Sequence, residues 1–134
     1  MIENKVGLSD SIIAKKAYSF ALEVVNSYKD LVQTKKEYVQ SKQFLRSGTS
    51  IGANVNEAVC AQSKRDFVHK LSIALKEARE TMYWIHLLKD SNFMIVQLFN
   101  SLSGLCGEII KILSSIIITT KQRYFNQVSP TINS

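Results

Sequence analysis

Asp66 and His69 stand three residues apart, a spacing that sets a carboxylate and an imidazole on one face of a helix. Among helical bundles this is part of a di-iron carboxylate site. Such a site needs a carboxylate from each of two helices and a Glu-x-x-His from each of the other two. Glu23 and Glu57 are candidate donors, but the other histidine, His86, has Tyr83 where the second carboxylate should be. The set is incomplete. No metal and no other cofactor is expected, and Asp66 and His69 read as an exposed pair on one turn. Gly48 and Gly52 bracket a stretch with the glycines of a phosphate loop, yet neither a following Lys-Ser/Thr nor a preceding strand accompanies them. Serines are plentiful, but none sits in a Gly-x-Ser-x-Gly elbow, and neither Cys60 nor Cys106 has a histidine nearby in sequence. No catalytic constellation is complete, so a non-enzyme is expected.

Basic residues are what remain. Seventeen Lys and Arg against eleven Asp and Glu give a formal net charge of +6 over 134 residues. The excess is spread along the chain as close pairs. Candidate phosphate contacts are Lys15, Lys16, Lys35, Lys36, Lys42, Lys64, Arg65, Lys76 and Arg79, with Lys121 and Arg123 as a further pair. The usual fate of such residues is solvated surface. A symmetric oligomer would repeat them, and phosphate binding strengthens with each neutralised contact. Without a recognition-helix or RNA-binding aromatic motif, any RNA or DNA contact would read backbone and shape rather than bases. The alternative is a protein-binding adaptor without nucleic-acid contact, its charge serving solubility or an acidic partner.

Positioning falls to helices. Five Gly and one Pro, at position 130, leave few places to break them, and a barrel or sandwich would need many more turn residues. A first helix, about 9–33, starts near Ser9 or Asp10 and carries Ile13, Ala17, Phe20, Val24, Tyr28 and Leu31 on one stripe. A second, about 37–61, has the seam Phe44, Gly48, Ile51, Val55 and Ala58 or Val59. Its interior glycines each cost about 1 kcal/mol against Ala, which suggests close approach of a neighbouring helix; a loop splitting the segment is the competing reading. Ser63 is a natural N-cap for a third helix, about 64–90, with Asp66 as its capping-box partner. That helix packs through Phe67, Leu71, Ala74, Ala78, Met82 or Thr81, Ile85 and Leu88. The fourth, about 93–123, repeats Ile95, Leu98, Leu102, Leu105, Ile109, Ile112 and Ile116. A second seam of Phe99, Cys106, Ile110, Leu113 and Ile117 runs beside it. Such a wide stripe suits packing inside a bundle and also against another subunit; a well-covered central helix is the plainer reading. Residues 126–134 form a polar tail expected to fray.

Two cysteines are too few for a disulfide scaffold, and both sit among apolar residues as small hydrophobes would. The polar start carries no signal peptide. Ile109–Ile118, interrupted by Lys111, Ser114 and Ser115, is about half the ~20 residues of a membrane span. The expectation is a cytoplasmic, all-α single domain with no membrane contact.

Gln43-Phe-Leu-Arg46, then Ser50-Ile-Gly-Ala-Asn-Val-Asn-Glu57, then Phe67 and Ile73-Ala-Leu-Lys-Glu-Ala78 resemble the four-helix-bundle family that includes proteins encoded by intervening sequences in bacterial 23S rRNA genes. The match covers roughly residues 10–120. Arg46, Ser50, Ile51, Asn54 and Glu57 fall on the family pattern, as do Ala74, Glu77, Ala78 and Glu80. The resemblance implies an up-and-down antiparallel four-helix bundle assembling into a homopentameric, barrel-like ring. A related branch comprises accessory proteins of diversity-generating retroelements, whose basic pentamer is associated with nucleic acid and a reverse transcriptase; most members have no established activity. This chain departs from the pattern at Thr34-Lys-Lys-Glu37, where Pro is common, and at Glu57-Ala58, where Glu-Gly is common. Arg46, Ser50, Asn54 and Glu57 are read as a structural polar network. A buried Glu57 would take Arg46 as its cationic partner, so Glu57→Ala would lower the melting temperature. A ligand site built from the same residues is the minority reading.

Overall fold

In a computed structural model, residues 8–125 are described, with side chains from position 12 onward. The expected caps Ser9 and Asp10 and the polar tail 126–134 fall outside the described side chains or residues. Four helices follow in order, α1 (Leu8–Gln33), α2 (Gln40–Val59), α3 (Lys64–Asp90) and α4 (Val96–Phe125), with no strand among the described residues. Short connectors at 34–39, 60–63 and 91–95 force neighbours to run antiparallel. Each helix packs on the next, and α4 returns to α1 along the narrowest of the four seams. The sequence is thus an all-α, up-and-down four-helix bundle around one apolar core.

The connectors explain where the helices start. Lys36 adopts a left-handed conformation (φ 58°), which reverses the chain after α1. Glu37 follows, buried, and its carboxylate accepts from the N–H groups of Val39 (3.2 Å), Gln40 (3.0 Å) and Ser41 (2.6 Å). Those are donors that a helix start leaves without partners. Glu37 therefore caps α2 from outside, and the helix opens at Gln40 rather than at 37. Ser63 is extended and its hydroxyl accepts from the Asp66 N–H at 3.0 Å, the N-cap the sequence indicates. At the end of α3, Asn92 is left-handed (φ 70°). Phe93 N–H then reaches Leu88 C=O at 2.9 Å and Asn92 N–H reaches Lys89 C=O at 3.0 Å, the paired bonds of a Schellman stop. That stop uses up positions 91–93, which moves the start of α4 from the expected 93 to Val96.

The buried stripes of the first three helices follow the sequence closely, except that α3 buries Val68 where Phe67 is expected and leaves Phe67 half-buried. Ile13, Ala17, Phe20, Val24 and Leu31 are buried on α1, and Tyr28 is half-buried. Phe44, Gly48, Ile51, Val55 and Ala58 are buried on α2, which runs unbroken through both glycines. On α3 the choice between Met82 and Thr81 falls to Thr81. Its hydroxyl donates to Glu77 C=O at 2.7 Å and meets the Ser47 hydroxyl at 2.9 Å across the α2–α3 seam.

Three expectations need correcting. The deepest line of α4 is Leu102, Cys106, Ile109, Leu113, Ile117 and Thr120, a blend of the two expected seams. Ile95 caps the helix with its side chain 61% exposed, and Leu105 is exposed. Of the two helices that flank it, α1 covers less of the stripe than α3 does. By length and composition α4 is also apolar enough to cross a membrane, a longer segment than Ile109–Ile118 alone suggests. Only 28% of its most apolar window is buried within the chain. The cysteines differ as well: Cys106 is buried, its thiol donating to Ala78 C=O at 3.2 Å, and burial pushes its pKa to about 12. Cys60 is exposed at the end of α2.

A Cβ placed on Gly48 would lie 2.8 and 2.9 Å from the methyl groups of Val24, which is itself fully buried. On Gly52 the closest atom would be Ala17 O at 3.6 Å, an ordinary contact. Gly48→Ala is therefore expected to destabilise, because overpacking of roughly 1–3 kcal/mol outweighs the roughly 1 kcal/mol gained in helix propensity. Gly52→Ala keeps the gain and raises the urea midpoint. Equal midpoint shifts for the two variants would show that the α1–α2 approach imposes no such limit.

Candidate nucleic-acid interface

The four signature residues do not close into one network. Arg46 lies on the exposed side of α2 and reaches across to α3. Its Nη2 donates to Glu80 Oε2 at 2.6 Å, Nη1 sits 3.3 Å from Glu77 Oε1, and Nε reaches Gln43 Oε1 at 3.5 Å. Trp84 Nε1 donates to the same Glu80 oxygen at 3.1 Å. The Trp84 hydrogen bond, then Arg46, hold the Glu80 carboxyl below its ordinary range, and Glu80 first and Glu77 second raise the Arg46 guanidinium. Ser50 donates to Arg46 C=O at 2.6 Å, and Asn54 Nδ2 donates to Ser50 C=O at 2.9 Å; both bonds stay within α2.

Glu57 corrects the expected pairing. It is exposed, and its partner is Lys70 of α3 at 2.8 Å, whose ammonium it raises above the ordinary lysine value. Eleven helical residues separate it from Arg46, a rise of about 16 Å, so each side chain finds its counter-charge on α3 at its own height. The expected destabilisation by Glu57→Ala goes with the burial it assumed.

The nine basic candidates split by location. Lys15 and Lys16 lie on α1, where Lys16 pairs with Glu108 of α4 at 3.2 Å. Lys35, Lys36 and Lys42 sit at the α1–α2 end. Lys64, Arg65, Lys76 and Arg79 are on α3 and all are exposed. No face gathers the nine, but α3 gathers four with residues the charge pairs alone do not reveal. Arg65, His69, Lys76, Arg79, Tyr83 and His86 recur at three- and four-residue steps or multiples of them along the outer side of α3, and every one is exposed. Three of the four acids of α3 lie off this stripe: Glu77 and Glu80 turn to α2 and Arg46, and Asp66 is half-buried; the fourth, Asp90, is exposed and follows His86 at the end of the stripe, beside Lys89.

α4 extends this face. Gly107, Lys111, Ser114, Ile118, Lys121 and Phe125 share one stripe of α4. Gly107 faces Met82 of α3 at one end, and Lys121 and Phe125 line a cavity of about 300 Å³ with Arg65 and Val68 at the other. Here basic groups lie over rings, Lys64 Nζ 4.7 Å from the Tyr124 centroid and Arg65 Cζ 5.6 Å from that of Phe125. The only acid of α4, Glu108, points to α1. Among the described residues, Lys76, Arg79 and Lys111 have no ion-pair partner, and no three His, Cys, Asp or Glu gather as a metal site would require. A face of this make-up can bind phosphates. The signal for Tyr83, His86 and Lys111 lay in the outward positions of the helical repeat, whereas the pairing of Tyr124 with Lys64 depends on how α4 ends against α3.

The neighbouring seam, between α1 and α4, is bridged by the Lys16–Glu108 ion pair and leaves apolar side chains open beside it. Ile12 is 42% and Leu105 37% exposed, and Ile112 and Ile116 are half-covered. Leu105 lines a cleft of about 240 Å³ with Lys15, Lys16, Ser19 and Phe20. Gly104 beside it has open space where a Cβ would stand.

Arg46→Met is expected to lower stability at pH 7 by no more than about 1 kcal/mol, since the ion pairs are half-exposed. Glu80 has a lowered folded pKa, so its contribution is present above the ordinary carboxylate value and lost as pH falls through the folded one. The stability difference between Arg46→Met and the parent should therefore shrink as pH is taken from 7 to below the ordinary carboxylate range. Urea titrations at the two pH values measure it, and a difference unchanged in acid would assign the effect to lost packing of the arginine stem.

Residues 9–115 match the family model described as 23S rRNA-intervening sequence protein. A crystal structure from Bacteroides thetaiotaomicron VPI-5482, of a protein with unknown function from the S23 ribosomal protein family, is similar to this chain. The two share 50% sequence identity over 82% of this chain and 98% of that one, with a TM-score of 0.81. No curated protein matches.

Proposed function

The chain belongs to the 23S rRNA-intervening sequence protein family, and from that premise we propose a non-enzymatic, self-assembling helical scaffold that holds nucleic acid on the outer face of α3 and α4. One observation carries the reading: the separation of charge along the middle of α3, Glu77 and Glu80 toward Arg46 of α2, Lys76 and Arg79 outward. Arg65, Lys76 and Arg79 present positive charge over a length of α3 from 65 to 79 that rises about 21 Å, and Lys111 and Lys121 add to it from α4. On the outer stripe Asp90 follows His86 at the end. A protein partner is better served by interspersed charge; a polyanion is served by this uniform sign. The groups are lysines, arginines and histidines without a base-reading arrangement, so contacts go to phosphates and carry little sequence preference.

Assembly is supported by the α1–α4 seam. Ile12, Leu105, Ile112 and Ile116 leave apolar surface on one side of the bundle, and Gly104 carries the helical cost of glycine with no neighbour inside the chain that requires it. A second copy seated there supplies the missing partner for both. A homopentameric ring, as the family resemblance implies, would repeat the basic face around its circumference.

Two measurements test the reading. A labelled 20-nucleotide RNA titrated with the protein at increasing salt should bind with an affinity that falls steeply as salt rises. Lys76→Glu with Arg79→Glu should weaken binding at least tenfold and make the salt slope shallower by about two. Lys35→Glu with Lys36→Glu, at the other end of the bundle, should bind as the parent does. No binding at low salt, or equal losses in both double variants, would remove the face from consideration. For assembly, sedimentation velocity should find an oligomer that Leu105→Glu dissociates into folded monomers; a monomeric parent protein would refute self-assembly.

A further inference from the structure

The basic face ends in a feature unlike the rest of it. Where α3 begins and α4 stops, the cavity of about 300 Å³ joins two cations, Arg65 and Lys121, to the Phe125 ring and the Val68 side chain. That volume sits at the small end of the range for ligand pockets. Beside it stands Tyr124, half-exposed, with the Lys64 ammonium 4.7 Å from its ring centroid. Cations and aromatic surface placed side by side match a ligand that is anionic at one end and flat and unsaturated at the other.

We propose that this end of the bundle is a subsite for one unpaired nucleotide of a single strand. Arg65 and Lys121 hold its phosphate, and its base stacks on the Tyr124 ring with Phe125 as the adjoining wall. The inference rests on the nucleic-acid reading above and narrows it from phosphates in general to single strands. In a duplex the faces of the bases are already stacked on one another and offer nothing to a tyrosine. An unpaired base offers a face whatever its identity, so the subsite selects strandedness and not sequence. Continuity supports it: Arg65 is both the first member of the outer stripe of α3 and a wall of the cavity. A strand lying along Arg79 and Lys76 is led to the subsite. Phe125 also packs on the core, whereas Tyr124 is exposed and can be replaced without opening it.

The test compares two probes on the full chain at one salt concentration, a labelled 15-nucleotide oligouridylate and a 15-base-pair RNA duplex. The parent should hold the single strand about tenfold more tightly. Tyr124→Ser should lose about tenfold on the single strand and nothing on the duplex, while Tyr124→Phe keeps the parent's preference. Equal affinity of the parent for both probes, or single-strand binding unaltered by Tyr124→Ser, would overturn the subsite. In that event a loss on both probes from Lys76→Glu with Arg79→Glu would leave the broader phosphate-binding face standing. Failure of the parent to bind either probe would overturn both.

Discussion

Everything distinctive about this bundle depends on how closely α2 approaches its neighbours. Gly48 lets the α2 backbone come so near Val24 of α1 that no Cβ fits between them. On its other side α2 meets α3 through paired hydroxyls, Ser47 and Thr81. Drawn in this way, α2 brings Arg46 within reach of two carboxylates of α3 and Glu57 within reach of Lys70. Glu77 and Glu80 are thereby fixed on one flank. The outer stripe from Arg65 to His86 is left without a carboxylate, and Asp90 follows only at its end.

Much of the fold could be read from the residues before any coordinates. Three of the four apolar stripes, the Ser63 cap and the continuity of α2 through its glycines follow from periodicity and capping chemistry alone. Positions set by tertiary contacts could not be read this way. Glu37 looks like one more polar residue in a turn, and only the fold shows its carboxylate accepting from α2's first backbone amides. The stripe of α4 is apolar over so wide an arc that periodicity admits several registers. Which line lies deepest is decided by the angle at which α1 and α3 approach.

The candidate site was legible in its ingredients and not in its arrangement. Close pairs of Lys and Arg attract notice along the chain, yet adjacent residues on a helix point in different directions, and most of those pairs are divided between faces. Arg65, His69, Lys76, Arg79, Tyr83 and His86 share a face because their spacing repeats that of the helix. Arg46 and Glu57 illustrate the converse. They belong to one sequence signature and one helix but stand about three turns apart, and each answers to a different residue of α3.

Glu77 and Glu80 lie toward one flank of α3, with Lys76, Arg79 and Lys111 outward beyond them. Locally this separates charge across α3 rather than along it. A polyanion approaching within about a Debye length, ~8 Å at physiological ionic strength, exerts a torque on such a body before any contact forms. Under the nucleic-acid reading proposed above, the bundle would turn its α3–α4 side toward the approaching charge, and productive collisions would become more frequent than random orientation allows. Repeated around a ring, the same separation of charge would point outward from a common axis, so that the assembly meets a charged strand equally from every side.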